Sequence, residues 1–287
     1  MPELQTIQLV ECPRDAMQGW HSFIPTPVKT SYLNALLKAG FHTLDFGSFV
    51  SPKAIPQMAD TKQVLTALDL RDTQTKLLAI IANRRGAEQA VGYDEITYLG
   101  FPFSVSPTFQ QRNTNSTQEE SLGTVADIQE LCIKNKKQLV IYLSMGFGNP
   151  YGDVYSEEIL LQWADKIAAL DITIISLADT VGLATPEQIS NALAALVPGY
   201  KTVEFGVHLH SSAANVHQKL QAAIASGCRR FDGALKGIGG CPMAQDDLIG
   251  NMPTETMISY FEAQGLKLHI NRQALQHCIQ LANEIFI

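Results

Sequence analysis

The chain has 287 residues, long for one ordinary domain but normal for a single α/β barrel, and enough to bury a large core. Apolar content of 46% against 17% charged fits a well-packed soluble protein, and no run approaches the roughly 18 apolar residues that span a bilayer. The formal net charge of −7 argues against non-specific binding to nucleic acid or acidic membranes, though a local basic pocket can still receive an anionic substrate.

In chain order, "TIQLVEC" (6–12) predicts the first strand. A helix follows over 26–40, with Thr26 as N-cap, Pro27 at the first helical position and Gly40 as the stop. "HTLDFGS" (42–48) is the second strand, trailed by a helix near 60–70. "KLLAIIAN" (76–83) and "EITYLGF" (95–101) are the third and fourth, with a short helix between them. "STQEES" opens a helix near 118–135, and "QLVIYLS" (138–144) is the fifth strand. "ITIISLAD" (172–179), "VEFGVHLH" (203–210) and "RRFDGAL" (229–235) complete the set, with helices near 157–170, 186–197 and 213–227 filling the gaps. A helical C-terminal extension covers about 254–287.

Eight β-then-α units with continuous rather than alternating apolar strands predict a parallel sheet closed into a (β/α)8 TIM barrel, in one catalytic domain spanning 1–287. The open doubly wound alternative usually carries a Gly-rich phosphate turn after its first strand, and "ECPRDAMQG" is not one. "MPELQTIQLVECPRD" has neither a basic n-region nor an apolar h-region, so no secretory signal is visible. Five cysteines (12, 132, 228, 241, 278) never fall in CxxC spacing. They suggest a reducing compartment, the cytoplasm, with individual thiols free for chemistry.

In such a barrel the chemistry sits at the C-terminal ends of the strands. Arg14 and Asp15 fall just after strand one, Asp45 and Ser48 at the end of strand two, and Asn83 after strand three. Ser144 and Asn149 follow strand five, Asp179 and Thr180 strand six, and Cys241 and Asn251 lie beyond strand eight. His208 and His210 close strand seven two residues apart, so on a strand both imidazoles point the same way. One carboxylate, two imidazoles and an amide oxygen (Asp15, His208, His210, Asn251) form a hard, mixed N/O set. It suits Mg²⁺ or Mn²⁺ with positions left for substrate oxygens, whereas a structural zinc would want thiolate pairs.

"PRDAMQG", "SFVSPKAIPQMAD", "SLADTVGLATP", "HLH" and "GIGGCPMA…GNMPTE" together resemble the 3-hydroxy-3-methylglutaryl-CoA lyase family over almost the whole chain. "SFVSPK" and "GGCP" are the most specific, since related condensing enzymes share the metal set but generally not these stretches. The resemblance implies cleavage of 3-hydroxy-3-methylglutaryl-CoA to acetyl-CoA and acetoacetate, as in leucine breakdown, by a homo-oligomer, a dimer. It implies that Asp15, His208, His210 and Asn251 hold the metal, that Arg14 stabilises an enolate oxygen, and that Cys241 is the proton donor. Asp45 and Asp179 would orient water, substrate or Arg14, while His208 and a rim carboxylate compete for the role of base. Arg14, Ser48, Lys53, Ser144 and Thr180 would contact the acyl-CoA substrate, and Lys53, Arg112 and Lys236 are the cations available to the CoA phosphates.

Three positions depart from the family pattern. Asp45 stands where the family usually has Glu, Ser211 follows "HLH" where Asp is usual, and Asn149 replaces a frequent Cys. Ser211 removes a possible acceptor behind a ligating imidazole. The rival readings are a lyase for a related 3-hydroxyacyl-CoA, a condensing synthase of the isopropylmalate or citramalate type, and a non-catalytic binding barrel.

Overall fold

A computed structural model of the chain describes residues 6–240 and 249–287. Parallel strands β1 (Gln8–Glu11), β2 (Thr43–Ser48), β3 (Lys76–Ile80), β4 (Ile96–Ser104), β5 (Gln138–Ser144), β6 (Ile174–Ala178), β7 (Glu204–His208) and β8 (Arg230–Gly233) pair in sequence order, and β8 returns to β1 to close the barrel. The expected helices appear as α2 (Thr26–Ala39), α3 (Thr61–Thr66), α4 (Arg84–Ala90), α6 (Gln118–Lys134), α7 (Glu157–Ala168), α8 (Pro186–Gly199) and α9 (Val216–Ala225). Two short helices were not expected: α1 (Pro13–Gln18) and α5 (Pro107–Thr114). Both begin with Pro at the first position, where its missing N–H is no loss. Past β8, α10 (Thr254–Ala263) takes the place of the eighth barrel helix, so of the predicted extension only the segment ending in α11 (Arg272–Ile285), which packs on α2, is additional. Among the described residues no helix is long and apolar enough to cross a membrane.

Alternation on each strand sorts side chains between two apolar regions. On β5, Leu139, Ile141 and Leu143 face outward into the core under the helices, whereas Val140 and Tyr142 join Leu78, Tyr98 and Ile174 inside the barrel. Gly100 makes the interior packing possible, since a Cβ there would lie 2.9 Å from the Tyr142 ring and 2.6 Å from Ile80. A register shift between Asp45 and Gly47 on β2 marks a bulge beside the rim carboxylate.

Helix ends follow local chemistry. Thr117 and Glu120 form a reciprocal capping box at the start of α6, and Gly40 ends α2 at φ 84°. At the other end of α2 the expectation needs correcting. Pro25 occupies the cap position, and the Thr26 hydroxyl donates instead to Asp60 Oδ2 at 2.7 Å.

Glu11, wholly buried at the end of β1, ties the barrel to its last turn by accepting from Leu235 N (2.9 Å) and Thr254 Oγ1 (2.5 Å). Burial outweighs these bonds and lifts its carboxyl from 4.5 to about 8. Between those values the unfolded chain releases the proton and the folded chain keeps it. Glu11 therefore withdraws stability as pH rises through the window, on the order of 5 kcal/mol in all. In Glu11→Gln, denaturant unfolding at pH 5 to 8 should lose this slope and leave the variant the more stable protein at pH 8. Parallel stability curves for the two proteins would contradict the assignment.

Candidate active site

Helix α1 sets the first side chains of the rim. Arg14 grips Asp45 with two nitrogens, Nε to Oδ2 at 3.0 Å and Nη2 to Oδ2 at 2.6 Å, while Nη1 donates to Asp15 Oδ1 at 3.0 Å. Gln18, one helical turn beyond Asp15, donates to the same Oδ1 at 2.8 Å. The guanidinium is thereby fixed with two carboxylates around it. Burial works against its charge, but Asp45 and Asp15 outweigh burial and hold it protonated. Burial lifts the Asp45 carboxyl to about 6 against the pull of Arg14, which still leaves it ionised at neutral pH. Burial also pushes Asp15 upward, yet Arg14, both imidazoles and the Asn251 amide overturn it and hold the group below the usual carboxylate range.

The opposite side of the rim comes from the far end of the sequence. The ladder of β7 stops at His208, short of the predicted end at His210, because His210 leaves it to form an antiparallel bridge with Asn251. That bridge delivers Asn251 to Asp15 Oδ2, to which its Nδ2 donates at 2.7 Å, with the Ile238 carbonyl as a second acceptor at 2.9 Å. Both bonds fix the amide orientation and leave Oδ1 buried without a hydrogen-bond partner among the described residues. Gly239, at φ 108°, passes so close that a Cβ would lie 2.5 Å from Asn251 Nδ2 and 2.9 Å from Asp15 Oδ2.

Each imidazole is oriented through Nδ1. His208 Nδ1 lies 3.2 Å from Asp232 Oδ2, and His210 Nδ1 lies 2.7 Å from the Ile249 carbonyl. The ring centroids are 5.6 Å apart, and each ring has Nε2 in reserve. Burial and the neighbouring His208 drop His210 to about 4, so it is a neutral donor at physiological pH. Burial also disfavours charge on His208, but Asp232 reverses this and raises its value. The acceptor lost with Ser211 is thus replaced by a main-chain carbonyl.

Asp15, His208 and His210 line a cavity of about 260 Å³ with Arg14, Ser48, Ser144 and Thr180. The Ser48 hydroxyl is buried with no partner among the described residues, whereas Thr180 Oγ1 accepts from Met145 N at 3.0 Å. The donor types suit a hard dication: one ionised carboxylate, two imidazole Nε2 atoms and the unpaired amide oxygen. Among the described residues, the His/Cys/Asp/Glu group whose ligand atoms all lie within 4.8 Å of one another is Cys12, His208 and Asp232. Burial first, then the charges of Asp232, Asp45 and Asp15, push the Cys12 thiol well above its ordinary value. Asp232 already engages His208 Nδ1 and the Cys12 thiol donates to the Val10 carbonyl at 3.8 Å, so both groups brace the rim from below.

Other expected site residues sit elsewhere. Asp179, 2% exposed, is bonded to Lys219 Nζ (2.7 Å) and Ala184 N (3.0 Å), and it is its neighbours Ala178 and Thr180 that line the cavity. Lys53 is exposed and outside the cavity lining. The Arg112 guanidinium lies 4.5 Å from the Tyr151 ring centroid, and Lys236 Nζ reaches the Phe286 carbonyl. Asn83 caps α4 through Gly86 N, and Asn149 binds the backbone of its own loop. Cys241 lies outside the described residues. Sequence reasoning did not single out Gln18, Asp232, Lys219 or Tyr142, whose ring meets His208 edge-on and lines the cavity. The i, i+3 spacing of Asp15 and Gln18 was the one local signal available.

A family model described as HMGL-like matches residues 7–282. The mitochondrial hydroxymethylglutaryl-CoA lyase of Mus musculus is 30% identical over 272 residues, covering 94% of this chain and 82% of that protein. Hydroxymethylglutaryl-CoA lyase YngG of Bacillus subtilis (strain 168) is 30% identical over 276 residues, with 96% and 90% covered. Among solved structures, an HMG-CoA lyase from Acinetobacter baumannii in complex with coenzyme A and 3-methylmalate superposes with a TM-score of 0.91 at 30% identity, covering 98% of this chain and 91% of that one.

Proposed function

The chain belongs to the HMGL-like family, and from that premise we propose that it cleaves 3-hydroxy-3-methylglutaryl-CoA to acetyl-CoA and acetoacetate with a divalent cation, Mg²⁺ or Mn²⁺. The relatives named above are lyases, which favours cleavage over the condensing direction. One observation carries the reading to this chain's own residues. Asn251, whose Nδ2 donates to Asp15 and whose main chain bridges to His210, keeps Oδ1 buried and unpaired among the described residues, while both imidazoles have Nδ1 already engaged.

Asp15, His208, His210 and Asn251 would hold the cation, which when bound stabilises negative charge on the substrate's 3-oxygen. With Nδ1 engaged by Asp232, His208 has only Nε2 to offer the cation, so in this reading the proton of the 3-hydroxyl passes to a rim carboxylate, the other candidate base. As the carbon–carbon bond breaks, electrons move to the thioester oxygen. Arg14, held rigid by Asp45 and Asp15, offers a permanent cation to that enolate. Ser48, Ser144 and Thr180 position the acyl group, and Cys241 protonates the enolate carbon.

The test is a steady-state assay with 3-hydroxy-3-methylglutaryl-CoA on metal-free and Mg²⁺- or Mn²⁺-loaded protein. Equimolar acetyl-CoA and acetoacetate from the loaded protein alone is expected. Consumption of acetyl-CoA with a 2-oxoacid, and no acetoacetate, would transfer the chain to the condensing reading.

A further inference from the structure

We propose that Lys219 is a positioning residue for the cation site, pinning the main chain of His210 to the turn that follows β6. The inference rests on the cation reading of the rim.

Lys219 comes from α9, yet it is 1% exposed. An ammonium group buried so deeply is tolerated only where its hydrogen bonds are met. Its Nζ has three acceptors for three protons: Asp179 Oδ2 at 2.7 Å, the His210 carbonyl at 2.7 Å and the Gly182 carbonyl at 3.4 Å. Asp179 spends its other oxygen on Ala184 N at 3.0 Å. The pair therefore joins helix α9, the Asp179–Ala184 turn and the residue that donates an imidazole to the site.

His210 needs such an anchor because it lies past the end of β7. In its bridge with Asn251 the main-chain bonds run through the flanking residues, Met252 N to the Leu209 carbonyl and Ser211 N to the Gly250 carbonyl. The His210 carbonyl is left to Lys219. The imidazole is held from the other side by the Ile249 carbonyl, and Ile249 packs on Gly182, where a Cβ would lie 2.7 Å from Ile249 Cδ1. Lys219, Gly182, Ile249 and His210 thus close a ring of contacts around one ligand. Loss of the ammonium frees the carbonyl and lets the imidazole wander. A buried Asp–Lys pair that served packing alone would not need its cation on a ligand's main chain.

The experiment titrates Mn²⁺ into the metal-free full-length protein and reads free Mn²⁺ by electron paramagnetic resonance. Wild type, Lys219→Met, Lys219→Met with Asp179→Asn, and His210→Ala are compared, with thermal unfolding recorded for each. Lys219→Met is expected to bind Mn²⁺ about 10- to 100-fold more weakly, the range typical of groups that orient a ligand. The double variant leaves no bared carboxylate, so it should regain stability while its Mn²⁺ affinity stays low. It also carries the test if the single variant does not fold. Wild-type affinity in the double variant would overturn the proposal and leave Lys219 as a counter-ion of Asp179. Absence of saturable Mn²⁺ binding in wild type would instead overturn the cation reading and this inference with it.

Discussion

Alanine at position 210 is expected to lower kcat/KM for 3-hydroxy-3-methylglutaryl-CoA by about 10²–10³-fold, the scale of losing one preorganised electrophilic contact. His210 is buried and has its ordinary value depressed to about 4, so at neutral pH it contributes a lone pair rather than a charge. Its removal leaves Asp15, His208 and Asn251, three of the four donors proposed for the cation. The deficit should therefore shrink as Mn²⁺ is raised, because a weakened site is refilled by mass action. Acid should produce a similar loss in wild type, since a proton on His210 competes directly with the cation. A variant with wild-type rates and an unchanged metal requirement would remove His210 from the ligand set.

Lysine in place of Arg14 should be nearly as damaging, with kcat lowered on the order of 10²-fold and KM changed only a few-fold. Arginine here is a fork rather than a point charge. Nε and Nη2 engage Asp45 while Nη1 reaches Asp15, three contacts that a single ammonium cannot reproduce. The group is called upon when charge develops on the thioester oxygen, so its loss falls on kcat more than on binding. Single-turnover rates measured at saturating substrate and metal separate the two effects. Full kcat in Arg14→Lys would show that charge alone suffices and that the Asp45 clamp is dispensable.

Much of the barrel could be read from the chain because strands buried on both faces leave continuous apolar runs such as "QLVIYLS", and strand order follows from βα alternation. The polar residues of the rim were legible for the same reason, once strand ends were fixed. What escaped was short or tertiary. Helices α1 and α5 are only six and eight residues long, too brief for a periodic apolar face. The early end of β7 reflects the bridge from His210 to Asn251, far along the sequence, which no local pattern announces. Asp179 falls at the rim in sequence, where it is expected to orient water, substrate or Arg14, and nothing in the helix over 213–227 marks Lys219 as its partner. Only the fold brings them together and buries both. Asp232 sat unremarked within "RRFDG" because the inward parity of β8 depends on its pairing with β1 and β7.

The most direct measurement is an anomalous difference map from crystals soaked in Mn²⁺. One peak is expected within about 2.0–2.3 Å of oxygen or nitrogen atoms from Asp15, His208, His210 and Asn251 together. A peak seated on Cys12 and Asp232 instead, or no peak at the rim while the protein still turns over substrate, would contradict it.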